Sequence, residues 1–241
     1  MCFKRMRGMP TSLHGSALVA MTLYASLSTS AVHGSTQLLV GVPSGLPGYE
    51  ALEGNKLRIN DPYKRGVTEC IANRLGVTFV WMAYPTRRII QMLQANEIDM
   101  VYPMGFTEER AATMLQSSLT WQNPDVVVSS RPVDLSDKKT RLAARLGSPQ
   151  HTDYAADGYF NMTAAYAYED LGKLLARGAV DAVIVPRSVY SEQKAMWPPR
   201  IVMAPGKPRS SGFYLNKDDP KGLHKHLNES IARCIDTVAS K

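Results

Sequence analysis

Cysteine is scarce in this chain, with only Cys2, Cys70 and Cys234 among 241 residues. Close Cys and His spacings are missing, and His151, His224 and His226 form no ligand set with nearby carboxylates, so a metal centre is not expected. Runs of about five or six like charges are absent, and aromatic residues are not interleaved with basic ones, which removes the usual footprint of nucleic-acid binding. Neither a Ser, His, Asp arrangement nor a nucleophile elbow is present. Low-complexity tracts are missing too, and with 44% hydrophobic residues the chain reads as globular rather than disordered. No apolar run reaches the roughly 20 residues needed to cross a bilayer.

What is present begins with Lys4, Arg5 and Arg7, an apolar run over residues 17–27, and small residues ending in Thr29, Ser30 and Ala31. That is the order of a secretory signal over residues 1–34, with cleavage after Ala31 or Gly34 and release into the periplasm. Cys2 has no apolar segment before it, so a lipid-anchored form is not expected. Without the three leader cations, the 28 basic residues fall to 25 against 21 acids, a mildly basic mature protein. Cys70 and Cys234 remain, each inside an expected helix. In an exported protein they are either a disulfide, which needs Cα atoms roughly 4.4 to 6.8 Å apart, or two buried thiols.

Residues 37–42 form a short apolar run typical of a buried parallel strand, followed by a loop dense in Pro and Gly. Residues 63–75 carry Val67, Ile71 and Leu75 at four-residue steps, closed by Gly76. A strand over residues 77–82 follows. Residues 85–110 then read as helix, Asn96 stop, strand, Gly105 turn and a new helix. Thr107 is the cap of that helix, and its first turn holds Glu108, Glu109 and Arg110. A cation there opposes the helix dipole, so Arg110 needs either those carboxylates or an anion from elsewhere. The first part is therefore βαβαβ, and residues 129–140 are a polar crossing into a second α/β unit. In that unit Ser148 and Pro149 open a helix, and residues 173–186 repeat the pattern of residues 91–103, with Asp181 matching Asp99. A last amphipathic helix covers residues 220–238.

LLVGVP, GVTECIANRLGV, PTRRIIQMLQANEIDM, FTEER and RGAVDAVIV, in this order and spacing, resemble the periplasmic solute-binding proteins that serve amino-acid uptake transporters, the family 3 type, as a divergent member. The resemblance implies an α/β fold of two lobes, each a mainly parallel sheet flanked by helices, joined by two hinge strands. Lobe 1 would hold residues 35–128 and 206–241, and lobe 2 residues 129–205. The hinge would lie near Val128 and residues 205–212, and a small-molecule ligand would be enclosed when the lobes close.

The same resemblance places Arg110 on a ligand carboxylate and Ser148 with Thr152 at a helix start that either binds an anion or is a plain cap. Tyr49 and Tyr63 fall where the family often stacks an aromatic on the ligand, although either also suits a loop or core. Arg88 matches an arginine found in part of the family, or is a solvated helix residue. Where amino-acid binders carry an Asp for the ligand ammonium, this chain has Pro186 and Arg187. Tyr102, Pro103 and Met104 stand in place of small hydroxyl residues. The expected ligand is therefore anionic, without an α-amino group, in a less polar pocket. No cofactor is expected, and the protein is expected to be monomeric with a membrane permease or signalling protein as partner. A sensory role would share every one of these features. A dehydratase of prephenate-like substrates on the same fold would need a positioned acid, and Glu169 and Asp170 at a helix start read instead as dipole partners.

Overall fold

The computed structural model describes residues 36–239; the expected signal segment, residues 1–34, lies outside them. The chain opens with β1 (Thr36–Pro43), a small hairpin of β2 (Tyr49–Ala51) and β3 (Leu57–Ile59), α1 (Pro62–Leu75), β4 (Val77–Tyr84), α2 (Thr86–Gln94), β5 (Met100–Gly105), the short α3 (Glu108–Thr113) and β6 (Met114–Gln122). It continues through β7 (Asp125–Ser129), β8 (Leu142–Arg145), α4 (Pro149–Ala156), β9 (Met162–Ala165), α5 (Tyr168–Ala176), β10 (Ala182–Pro186), α6 (Arg187–Glu192), a 3-10 turn at Lys194–Met196 and β11 (Val202–Pro205). β12 (Ser210–Asn216) and the long α7 (Leu223–Ala239) complete it.

Two five-stranded sheets result, in the orders β4-β1-β5-β12-β6 and β11-β7-β10-β8-β9. In the first, β1 runs parallel to β4 and β5, while β12 is antiparallel to both β5 and β6. In the second, β8, β9 and β10 are parallel and β7 is antiparallel to β10 and β11. Each lobe thus has one reversed strand, and in each it is the strand that has just crossed from the other lobe. β7 pairs within the second sheet, so the crossing falls at residues 123–124 rather than near Val128, and residues 125–128 belong to lobe 2. The apolar run of Val126, Val127 and Val128 shows only that a strand is buried; it does not say in which sheet.

The lobe 1 core packs α1 and α7 on one face of the sheet, joining Leu38, Ile71, Tyr102, Phe213 and Ile231. Each fully buried aliphatic side chain there contributes about 1.5–3 kcal/mol. Cys70 of α1 and Cys234 of α7 are bonded, with Cα atoms 5.8 Å apart, and tie the two helices together. Lobe 2 is built the same way around Val126, Leu171, Val183 and Val189.

The repeat in the sequence has a structural counterpart. α2 and α5 both end in a left-handed residue, Asn96 at φ 58° and Gly178 at φ 66°. In each, the N–H of that residue and of the next donate to carbonyls three and five positions back: Asn96 to Leu93 and Glu97 to Met92 in one case, Gly178 to Leu175 and Ala179 to Leu174 in the other. Asp99 then accepts from Leu39 N at 2.8 Å and donates its own N–H to Leu39 O. Asp181 makes the same exchange with Arg141, accepting at 2.9 Å.

β6 was not expected. Its buried residues are Met114, Ser117 and Thr120, three apart rather than two, because the pairing with β12 shifts register on either side of Gly212. A Cβ on Gly212 would sit 2.5 Å from Phe106 Cζ and 2.8 Å from Ser117 Oγ, so only glycine allows the bulge.

Candidate functional site

The C-terminal ends of β1, β5, β8 and β10 converge between the lobes, and their last residues, Pro43, Gly105, Arg145 and Pro186, all face one cleft. Strand ends of this kind are where α/β folds bind ligands. The cleft has a volume of about 80 Å³. Beyond Arg110, Arg145, Thr86 and Gly147, which belong to both walls, a wider outer groove of about 760 Å³ opens toward Ile90, Leu146 and Tyr166.

Arg110 is placed by α3, where Thr107 Oγ1 accepts from its backbone N–H at 3.2 Å. The residue is 8% exposed. It does not pair with Glu108 or Glu109: Nη1 donates to Gly105 O at 2.7 Å and Nη2 reaches across the cleft to Gly147 O at 2.9 Å. Burial lowers its pKa from the ordinary arginine value, with Tyr214, Glu109 and Asp153 offsetting part of this and Arg209 adding to it. Arg145, 7% exposed at the end of β8, makes the reverse crossing, from lobe 2 to Thr86 Oγ1 at 3.1 Å, and lies 5.1 Å from the centre of the Tyr168 ring. These two hydrogen bonds join the lobes across the cleft.

Two further cations face the cleft. Lys64 is 2% exposed, 3.0 Å from Asp61 Oδ2 and 4.5 Å above the Trp121 ring. Arg209 follows β11 and meets both Asp125 oxygens at 2.8 Å through Nε, and Asp153 at 2.7 Å through Nη1. Its Nη2 is buried without a hydrogen-bond partner. Gln150 Nε2 donates to Asp125 Oδ1 at 2.6 Å. Burial raises the Asp125 carboxyl above the usual range even though Arg209 and Gln150 pull the other way. Among the described residues that line the cleft, none is Asp or Glu.

Of the residues singled out from the sequence, Arg110, Met104 and Ser148 line the cleft. Ser148 caps α4, its Oγ accepting from His151 N at 3.2 Å. The others lie elsewhere. Tyr102 is fully buried in the lobe 1 core, stacked on Phe213 with centroids 4.3 Å apart. Tyr63 packs against the same core and donates to Thr120 O at 3.1 Å. The Tyr49 hydroxyl is buried without a partner and its ring lies 5.8 Å from Lys64 Nζ. Arg88 is an exposed helix residue paired with Glu97 at 3.1 Å. Thr152 is exposed on the outer groove, donating to Ser148 O at 3.0 Å. Arg187 points to solvent, with its N–H on Pro124 O.

Lys64, Arg145 and Arg209 were missed. Arg145 had a signal: a charge ending an apolar strand just before Gly147, the position in α/β folds that faces ligand. Lys64 had none that separates it from Arg65. Among the described residues no group of His, Cys, Asp and Glu is arranged to hold a metal ion, and no helix is long and apolar enough to cross a membrane.

Solved structures share this architecture. The arginine-bound form of a truncated arginine-binding protein from T. maritima superposes with a TM-score of 0.67 at 22% identity, covering 82% of this chain and 95% of that one. An ancestral arginine-binding protein bound to arginine gives 0.67 at 22%, covering 86% and 98%. A histidine kinase sensor domain with similarity to periplasmic binding proteins gives 0.69 at 15%, covering 86% and 95%. No curated protein sequence matches the chain. At these identities the likeness speaks for the fold alone, but the sequence profile of one family matches residues 63–238, all of lobe 2 and lobe 1 from α1 onward. The chain belongs to the bacterial extracellular solute-binding proteins, family 3.

Proposed function

We propose that this protein captures a small anionic ligand without an α-amino group between its lobes, outside the cytoplasm, and delivers it to a membrane transporter. The observation that carries this reading is the charge of the cleft: Lys64, Arg110, Arg145 and Arg209 face it, and no carboxylate among the described residues does. An α-ammonium group would enter with no anion to meet it. Where β10 ends, Pro186 and Ser188 line the wall and offer no charge.

Capture proceeds by closure about the two crossings, residues 123–124 and 206–209, with contacts from both lobes favouring the closed state. The planar guanidinium of Arg110 suits a carboxylate, which it can meet through two N–H groups at once. Calorimetric titration with a panel of α-amino acids and carboxylates tests the reading. Carboxylate binding that Arg110→Ala weakens sharply supports it, and tight binding of a common α-amino acid overturns it.

A sensory role is the second reading, supported by the likeness to the histidine kinase sensor domain. Reconstitution with a cognate permease separates the two: ligand-stimulated ATP hydrolysis marks transport, and its absence together with ligand-dependent kinase binding marks sensing.

A further inference from the structure

Four cations face the cleft, but they are not equivalent. Lys64 has Asp61, and Arg209 has Asp125 and Asp153. Arg110 and Arg145 have no carboxylate within salt-bridge distance among the described residues, and both are more than nine-tenths buried. Their partners are neutral: two backbone carbonyls for Arg110, and a threonine hydroxyl with the Tyr168 face for Arg145. Neutral acceptors satisfy N–H groups without cancelling charge, and an uncompensated buried ion is costly. The two come from opposite lobes, so closing the lobes is the step that brings both unbalanced charges into one small space. The space between them measures about 80 Å³, and it opens past both arginines into the wider outer groove.

We propose that the ligand is a small dianion, held between Arg110 of lobe 1 and Arg145 of lobe 2, with Arg145 as the second anion receptor. This rests on the anion-capture reading above and adds the number of charges and the residue that reads the second one. A short dicarboxylate and an inorganic oxyanion share this chemistry. A ligand with a single charge would leave one guanidinium buried without a counter-ion, so closure would favour it less.

Calorimetric titration of the wild-type protein near neutral pH, with the dicarboxylates from malonate to adipate, the matched monocarboxylates, sulfate, phosphate and norvaline, tests this. At least one dianion is expected to bind about thirtyfold or more tightly than its singly charged counterpart, as for a hydrogen-bonded charge pair that loses one partner. Arg145→Gln removes that preference, so that each dianion and its singly charged counterpart bind alike, and Arg145→Lys retains part of it. The wild-type series stands without the variants should either fail to fold. A monocarboxylate that binds as tightly as its dicarboxylate overturns the dianion and leaves the anion reading in place. Failure of every dianion in the set also overturns it. Tight binding of norvaline overturns both readings. Which dianion binds separates the dicarboxylate from the oxyanion.

Discussion

Arg209 Nε lies 2.8 Å from both carboxylate oxygens of Asp125, and the two side chains are 6% and 0% exposed. Asp125 opens β7 and Arg209 precedes β12, so this pair fastens the two interlobe crossings to each other. Replacing Arg209 by Met leaves a buried carboxylate with Gln150 as its main partner. A loss of about 3–5 kcal/mol in urea unfolding is expected, partly recovered when Asp125→Leu is added. A loss within experimental error would show that the pair is dispensable.

Thr86 accepts from Arg145 across the cleft. Thr86→Val removes that acceptor and should shift the lobes toward the open state by about 0.5–1.5 kcal/mol, the net value of one such bond. Small-angle scattering of the ligand-free variant should give a larger radius of gyration than the wild type. An unchanged radius would assign closure to other contacts.

The bond between Cys70 and Cys234 spans a sequence separation of 164. Constraining a loop of that length in the unfolded chain is worth about 5 kcal/mol on the chain-entropy account. The Cys70→Ala, Cys234→Ala double variant should therefore melt well below the oxidised wild type, as read by calorimetry. Ligand affinity should barely change, because neither residue faces the cleft.

Asp61 caps α1, accepting from Lys64 N at 2.9 Å, and pairs with the Lys64 ammonium. Burial alone would raise its carboxyl, but the Lys64 N–H and ammonium outweigh that and hold it below 3.8. A lowered carboxyl releases its proton more readily in the folded state, so its stabilisation is complete above the usual carboxylate range. It is lost as pH falls through the lowered value. Asp125 has the opposite sign, since its raised carboxyl favours the folded state as pH falls. The Asp61→Asn variant isolates the first effect: its stability should fall less steeply than the wild type's below about pH 4. Parallel acid limbs would refute the assignment.

Much of the fold was legible because local rules agreed with the global one. The stops at Asn96 and Gly178, the aspartates after them and the apolar strands that follow could be read as a repeat, and each does the same structural work in its lobe. The conflict at Arg110, a cation in the first turn of a helix, marked it out in the sequence, and in the fold its N–H groups meet two backbone carbonyls. Tyr102 was misplaced for a physical reason. All residues of β5 from Met100 to Met104 are buried, so no alternation in the sequence tells which side chains face the cleft end and which face α1 and α7. Tyr102→Phe should therefore leave ligand affinity unchanged, as titration would show. Lys64 and Arg209 were hidden because their carboxylate partners, or the cleft itself, are brought near only by the folded chain.

Lobe 2 interrupts lobe 1, and Cys70 and Cys234 stand on either side of the interruption. Every peptide bond of lobe 2 therefore lies inside a covalent ring whose clasp is in the other lobe. A single cut by a protease anywhere between the two cysteines, in an exposed loop of lobe 2 or at either crossing, would yield one molecule rather than two fragments. Lobe 2 is a bight of chain drawn through a closed neck, and it cannot be shed by one cut.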